Sequence, residues 1–135
     1  MATTTQPSKT LVLMTRSEPD TLAGTSMTPG VTSTGGRRRL FNAGLALLDG
    51  DARPLPYLAE ALPQLNTDSW RVLPDGRMET TYRLRPNLAW HGGHDLTADD
   101  FVFAYRVYST PELGRAGAEP FNVMEAVTAP DPRTV

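Results

Sequence analysis

Residues 82–105 read YRLRPNLAWHGGHDLTADDFVFAY, and this stretch limits what the chain can fold into. An alternating segment runs into a glycine pair and then directly into a helix start. Met78, Thr80, Tyr82 and Leu84 point one way, and Glu79, Thr81, Arg83 and Arg85 point the other, which predicts a strand with one face on a core. Pro74-Asp75-Gly76-Arg77 precedes it and predicts a hairpin with residues 69–73. Gly92-Gly93 supplies a tight turn. Thr97 then opens a helix, with Asp100 in the reciprocal position of a capping box, although an aspartate reaches less far than the usual glutamate. Asp99 and Asp100 also suit the positive end of the helix dipole. Phe101, Ala104, Tyr105 and Tyr108 share one helical face, and Pro111 stops the helix.

The rest of the chain is more broken. Residues 1–9 are a Thr-rich tail. Residues 10–15 (TLVLMT) form a short apolar run that predicts a buried strand. Residues 20–36 are rich in Thr, Ser, Gly and Pro and predict a long irregular loop. Loops beyond about 12–15 residues are uncommon in compact domains and are usually functional or disordered. A short helix is expected over 37–43, closed by Gly44. A strand follows over 45–48, then a turn at Asp49-Gly50-Asp51. Pro54 and Pro56 predict a turn, and 57–62 one helical turn. Residues 113–122 are expected as loop and 123–127 as a strand, with a further strand starting at Thr134-Val135. The pattern is α+β, mixed and hairpin-rich. A sequence that stops as a strand begins reads as a fragment.

At 135 residues the length suits about one domain. The formal net charge of −2 does not favour a nucleic-acid partner, and Arg37-Arg38-Arg39 is too short a basic run to argue otherwise. Without cysteine there are no disulfides, thiol chemistry or Cys-ligated metals. No run of about 18 apolar residues is present, so no membrane span is expected. The first residues lack the apolar core of a signal peptide.

Candidate chemistry is thin. His91 and His94, with Asp95, sit around two glycines that do not hold ligands rigidly, and no distant third ligand presents itself. A solvent-facing turn is the better reading, with no metal. The aspartates fall mostly at turns and caps, where they serve the backbone. No serine has a nucleophile-elbow setting, and neither glycine pair has the phosphate-cradling pattern. Trp70 and Trp90, with Phe101, Tyr105 and Tyr108, suit a core better than a ligand groove. Nothing points to an enzyme or a cofactor.

Several segments, taken in order, resemble the family 5 extracellular solute-binding proteins of ABC transporters, the peptide- and nickel-binding type. Thr10-Leu11-Val12 and Ser17-Glu18-Pro19-Asp20-Thr21-Leu22 are similar to the family's first strand and Glu-Pro-x-x-Leu loop. Gly44-Leu45 resembles Glu-Gly-Leu, and Pro56-Tyr57-Leu58-Ala59-Glu60 resembles Pro-x-Leu-Ala-Glu. Pro74-Asp75-Gly76 with Leu84-Arg85, and Trp90-His91 with Gly93, match the hairpin and the Trp-His-Asp-Gly turn. Thr97-Ala98-Asp99-Asp100 matches the Thr-Ala-Glu-Asp helix start. Ala129-Pro130-Asp131 with Thr134-Val135 matches Pro-Asp-x-x-Thr-Val. The sequence departs at Leu22-Ala23-Gly24 (Leu-Asp-Pro in the family), at Gly92 and at His94-Asp95.

The resemblance implies a type II periplasmic-binding-protein clamshell, of which this chain is an N-terminal fragment. Residues 1–36 would be the tail, first strand and loop of lobe I, and 37–135 its accessory α/β subdomain. It implies binding of a solute, with peptide as the leading class, for import through an ABC permease. Met27, Thr28 and Gly30, in the loop after the first strand, are the expected ligand-binding residues. The implied location is periplasmic or extracellular, with lipid anchoring of the full-length protein left open. A ligand-sensing domain of a regulator or receptor is the alternative on the same fold, and a permease-coding neighbour would favour transport over it. An enzyme completed by further sequence is a third reading, and it requires a convergent polar cluster. Open strand edges at 10–15 and near Val135 predict self-association of the truncated chain.

Overall fold

The computed structural model describes residues 12, 14, 22–25, 39–113 and 115–135. They form a mixed α/β arrangement of two antiparallel ribbons, a helix at 98–109, the helical residues 39–41 and two short 3₁₀ turns. Strand β1 (Ala46–Leu48) pairs with β2 (Pro54–Pro56), and β3 (Trp70–Val72) pairs with β4 (Met78–Thr80). Helix α1 spans Ala98–Ser109.

Strand β2 replaces the turn expected at Pro54 and Pro56. The reason lies in the register. The flanking pairs are bonded, by Asp49 N–H to the Arg53 carbonyl at 3.0 Å and Tyr57 N–H to the Leu45 carbonyl at 2.9 Å. Ala46↔Pro56 and Leu48↔Pro54 therefore occupy the alternate positions, where no N–H faces the partner strand. Both prolines fit a strand because neither position needs a donor towards β1.

The helical turn expected over 57–62 is absent for a related reason. The N–H groups of Tyr57, Leu58, Ala59 and Glu60 donate to the carbonyls of Leu45, Gly44, Leu45 and Arg83. Sheet-like pairing fixes this backbone, and the Leu58 carbonyl, which a helical turn would give to residue 62, accepts Arg85 N–H at 2.9 Å instead. Helix is present at 39–41, inside the stretch expected from sequence, but Gly44 is not its left-handed cap. The Gly44 carbonyl instead accepts Leu58 N–H at 3.2 Å.

Residues 82–85 form the middle of the molecule. On one side Ala59 bridges Leu84, with Glu60 N–H on the Arg83 carbonyl and Arg85 N–H on the Leu58 carbonyl. On the other, Tyr82 and Val135 exchange both backbone bonds, at 2.9 and 3.0 Å, and Leu84 N–H reaches the Arg133 carbonyl at 2.7 Å. The strand start expected at Thr134-Val135 is this outer pairing. Ala98 N–H adds a bond to the Pro132 carbonyl at 2.9 Å. The fully buried core is the result: Ala59, Leu84 and Ala98 are each 0% exposed.

The hairpin at 74–77 forms as expected, with Gly76 at φ +88° and Leu73 N–H on the Arg77 carbonyl at 2.8 Å. The expected alternation holds only at the far end of its second strand. Leu84 is buried and Tyr82 half-buried, between exposed Thr81, Arg83 and Arg85, whereas β4 is exposed along its whole length. A second small hairpin separates that strand from the helix. Asn87 turns at φ 58°, Leu96 N–H bonds the Leu88 carbonyl, and Trp90 N–H bonds the His94 carbonyl at 2.8 Å. Gly93, at φ +84°, closes this tight turn.

Helix α1 starts in the expected capping box. Asp100 does reach, accepting Thr97 N–H at 2.8 Å. The helix is held by its aromatic face. Tyr108 stacks on Phe121 with centroids 5.1 Å apart, and Tyr105 Oη donates to the Met124 carbonyl at 2.9 Å. The residues at 113–122 are not all loop, because 3₁₀ turns form at Pro111–Leu113 and Phe121–Val123. The strand expected at 123–127 does not form. Val123 closes the second 3₁₀ turn, and Glu125 is drawn to Arg77 at 3.2 Å. Of the apolar run at 10–15 only Val12 and Met14 lie among the described residues, and they are 79% and 96% exposed.

Candidate functional site

Four of the segments singled out in the sequence are linked through residues 84–85 and 131–135. The Leu84 carbonyl accepts from Arg133 twice, from Nε at 3.0 Å and Nη2 at 2.7 Å. The same Nη2 donates to Glu60 Oε1, and Arg83 Nε lies 3.8 Å from Glu60 Oε2. Arg85 Nε donates to the Ala59 carbonyl at 3.2 Å. Segments 56–60, 84–85, 97–100 and 131–135 are thereby tied into one cluster of backbone pairing and arginine bonds. Glu60 and Arg133 remain partly exposed, so the ion pair itself is worth little, and the bonds to a buried carbonyl carry more. The sequence alone does not single out Arg133, because nothing in the chain distinguishes it from the other arginines.

The outer strand is also finished locally. Asp131 Oδ1 accepts Arg133 N–H at 2.8 Å, Asp131 Oδ2 accepts the Thr134 hydroxyl at 2.8 Å, and the Asp131 carbonyl accepts Thr134 N–H at 3.2 Å. The Arg133 N–H, then the Thr134 hydroxyl, hold the Asp131 carboxyl below its ordinary range. With Thr134 N–H occupied and both Val135 groups on Tyr82, this edge presents few free backbone donors.

The remaining candidates resolve into turns and packing contacts. Trp90 Nε1 donates to Asp100 Oδ2 at 3.3 Å, joining the glycine turn to the helix cap. Trp70 is half-buried, and its Nε1 has no partner among the described residues. His91 and His94 are exposed, and no group of three His, Cys, Asp or Glu among the described residues is placed to hold a metal ion. Asp49 Oδ1 accepts the N–H groups of Asp51 and Arg53, both at 2.9 Å. Asp75 is held by Arg77 through its N–H and then its guanidinium, which lowers its carboxyl below the usual range.

An open depression of about 540 Å³ is lined by Asn66, Thr67, Asp68, Arg71, Val72 and Leu73. Two of its polar side chains, Thr67 and Arg71, are engaged. The Thr67 hydroxyl donates to the Gln64 carbonyl at 2.7 Å and lies 2.8 Å from the Ser69 hydroxyl, and Arg71 is on Glu79 at 2.8 Å.

Met27, Thr28 and Gly30 lie outside the described residues. The segment just before them is anchored: Asn42 Nδ2 donates to the Leu22 carbonyl at 2.8 Å. Gly24 lies so close to Asn42 that an added Cβ would meet Oδ1 at 3.1 Å.

Residues 60–135 match the model of the bacterial extracellular solute-binding proteins, family 5 Middle. The chain is also 31% identical over 110 residues to the di/tripeptide-binding protein 2 of Pseudomonas aeruginosa (strain UCBPP-PA14). That alignment covers 77% of this chain and 19% of the relative, so the chain spans about a fifth of that protein's length. The chain belongs to the family 5 bacterial extracellular solute-binding proteins.

Proposed function

From this membership we propose that the chain is part of a solute-binding protein that captures peptide, or another small solute, for import through an ABC permease. The observation that carries the reading is the family match over 60–135, a range that holds the paired segments at 82–85 and 133–135. The name of the relative, a di/tripeptide-binding protein, makes short peptides the first ligand class to test. The family is one of binding proteins, and the function is binding followed by lobe closure, without bond-making chemistry.

Residues 1–36 contribute the tail, first strand and loop of lobe I of a type II clamshell, and 37–135 its accessory subdomain. The backbone and arginine bonds that tie 56–60, 84–85 and 131–135 together support a scaffold role for this subdomain. Ligand contact falls to Met27, Thr28 and Gly30, with Thr28 as a hydrogen-bonding residue. A peptide backbone is then held by main-chain and polar groups, as in strand addition. The location is periplasmic or extracellular. No helix among the described residues is long and apolar enough to cross a membrane.

The test is calorimetry of the intact protein against di- and tripeptides, with native mass spectrometry of protein purified without added ligand. Saturable binding that weakens with Thr28→Ala supports the reading. A protein that arrives empty and binds no peptide overturns the peptide assignment, and unchanged affinity in Thr28→Ala removes that residue from the site.

A further inference from the structure

The chain contains two Asp-Gly sequences, both in β-turns that join antiparallel strands, and the structure treats them differently. At Asp75-Gly76 the glycine N–H donates to the Leu73 carbonyl at 3.0 Å. The aspartate is clamped at both oxygens, Oδ1 by Arg77 N–H at 3.1 Å and Oδ2 by Arg77 Nε at 2.7 Å. Both glycines are exposed with open space about the Cα, but the Gly50 N–H makes no hydrogen bond among the described residues. Asp49 uses Oδ1 alone, for Asp51 and Arg53 N–H, and Oδ2 has no partner among the described residues.

We infer that Asp49-Gly50 is a site of spontaneous backbone modification, converting to isoaspartate through a succinimide, and that Asp75-Gly76 is protected from the same reaction by its turn. The Gly50 nitrogen attacks Asp49 Cγ. The N–H proton and one carboxyl oxygen, with a second proton, leave as water, and a five-membered imide closes. Hydrolysis returns that water. Addition at the Cγ carbonyl restores aspartate. Addition at the main-chain carbonyl breaks its bond to nitrogen and leaves the chain running through Cγ. No oxidant, reductant or enzyme is needed.

The asymmetry follows from the nucleophile and the electrophile together. Gly76 N–H must leave the Leu73 carbonyl before it can attack, and one net hydrogen bond corresponds to a factor of roughly five. The Asp75 carboxyl is also held in its ionised form, the poorer electrophile. Glycine has no side chain to hinder ring closure in either case, so the difference lies in the turns. An added backbone methylene after Asp49 would disturb the bond from Asp49 N–H to Arg53 and the β1–β2 ribbon beyond it.

The experiment ages the whole chain at neutral pH, folded and in urea, and locates isoaspartate by peptide mapping with electron-transfer fragmentation. In the folded chain Asp49 should accumulate it at least about fivefold faster than Asp75, with the two rates converging in urea. Gly50→Ala should slow the reaction at Asp49 and leave Asp75 unchanged. Equal rates in the folded chain, or faster conversion at Asp75, overturn the inference. It is independent of solute binding and stands or falls without it.

Discussion

Arg133 binds the carbonyl of Leu84 through two nitrogens, and Leu84 N–H binds the carbonyl of Arg133. Backbone and side chain of one residue thus grip both polar groups of another, 49 positions away. Arg133→Ala leaves the Leu84 carbonyl without its guanidinium partner and releases Glu60. The expected cost is about 1–2 kcal/mol, reduced from the range for a charged hydrogen bond because Arg133 is partly solvated. Arg133→Lys should recover only part, since an ammonium lacks the planar fork. Glu60→Gln should cost under about 1 kcal/mol. Urea denaturation of the three variants decides the ranking. A Glu60 variant as damaging as Arg133→Ala would shift the weight to the ion pair.

Among the described residues Leu84 is the largest side chain with no exposed surface, and it lies between two paired segments. Leu84→Ala should therefore be among the most destabilising single truncations, by about 2–5 kcal/mol. Leu48→Ala and Leu55→Ala, at 49% and 46% exposed, should each cost under about 1 kcal/mol. Similar midpoints for the three would mean the core is not centred on residues 82–85.

What could be read from the sequence was set by the range of the interactions. The capping box at Thr97, the turn at Asp75-Gly76 and the face of α1 are local, and they appear where residue pattern places them. The failures are all non-local. Pro54 and Pro56 look like breakers until the register shows that neither needs a donor. Residues 57–62 look helical until pairing with Gly44 and Leu45 on one side and Arg83 and Arg85 on the other fixes their backbone. Residues 123–127 look like a strand until Arg77 and Tyr105 hold them elsewhere. Arg133 was invisible because its significance depends on a carbonyl 49 residues earlier. Met27, Thr28 and Gly30 came from resemblance alone and remain a proposal.

Trp90 and Thr97 share one carboxylate, Asp100 Oδ2, at 3.3 and 2.8 Å. Asp100→Ala should remove the reciprocal half of the capping box and destabilise by about 0.5–1 kcal/mol. It should also change the environment of Trp90, measurable as a shift in indole emission at constant fold. Trp90→Phe keeps the ring and loses only a long, partly exposed bond, so its cost should be smaller. If Asp100→Ala left stability unchanged, the cap would be ornamental and the start of α1 would be fixed by the Ala98–Pro132 bond instead.

Acid should weaken the fold through Asp75 and Asp131. Both carboxyls are held below the ordinary value of 3.8, by the Arg77 N–H and guanidinium in one case and by the Arg133 N–H and Thr134 hydroxyl in the other. The unfolded chain then binds protons more readily than the folded one. Stability from these groups is fully present above 3.8 and is lost as pH falls through the lower folded values. Both are solvent-exposed, so the effect is to be read as a slope and not as a large single contribution. The double variant Asp75→Ser, Asp131→Asn should have a slightly lower urea midpoint at neutral pH. Its midpoint should also fall less steeply than that of the parent as pH drops below about 4. Parallel curves for the two proteins would place the acid sensitivity in other carboxylates.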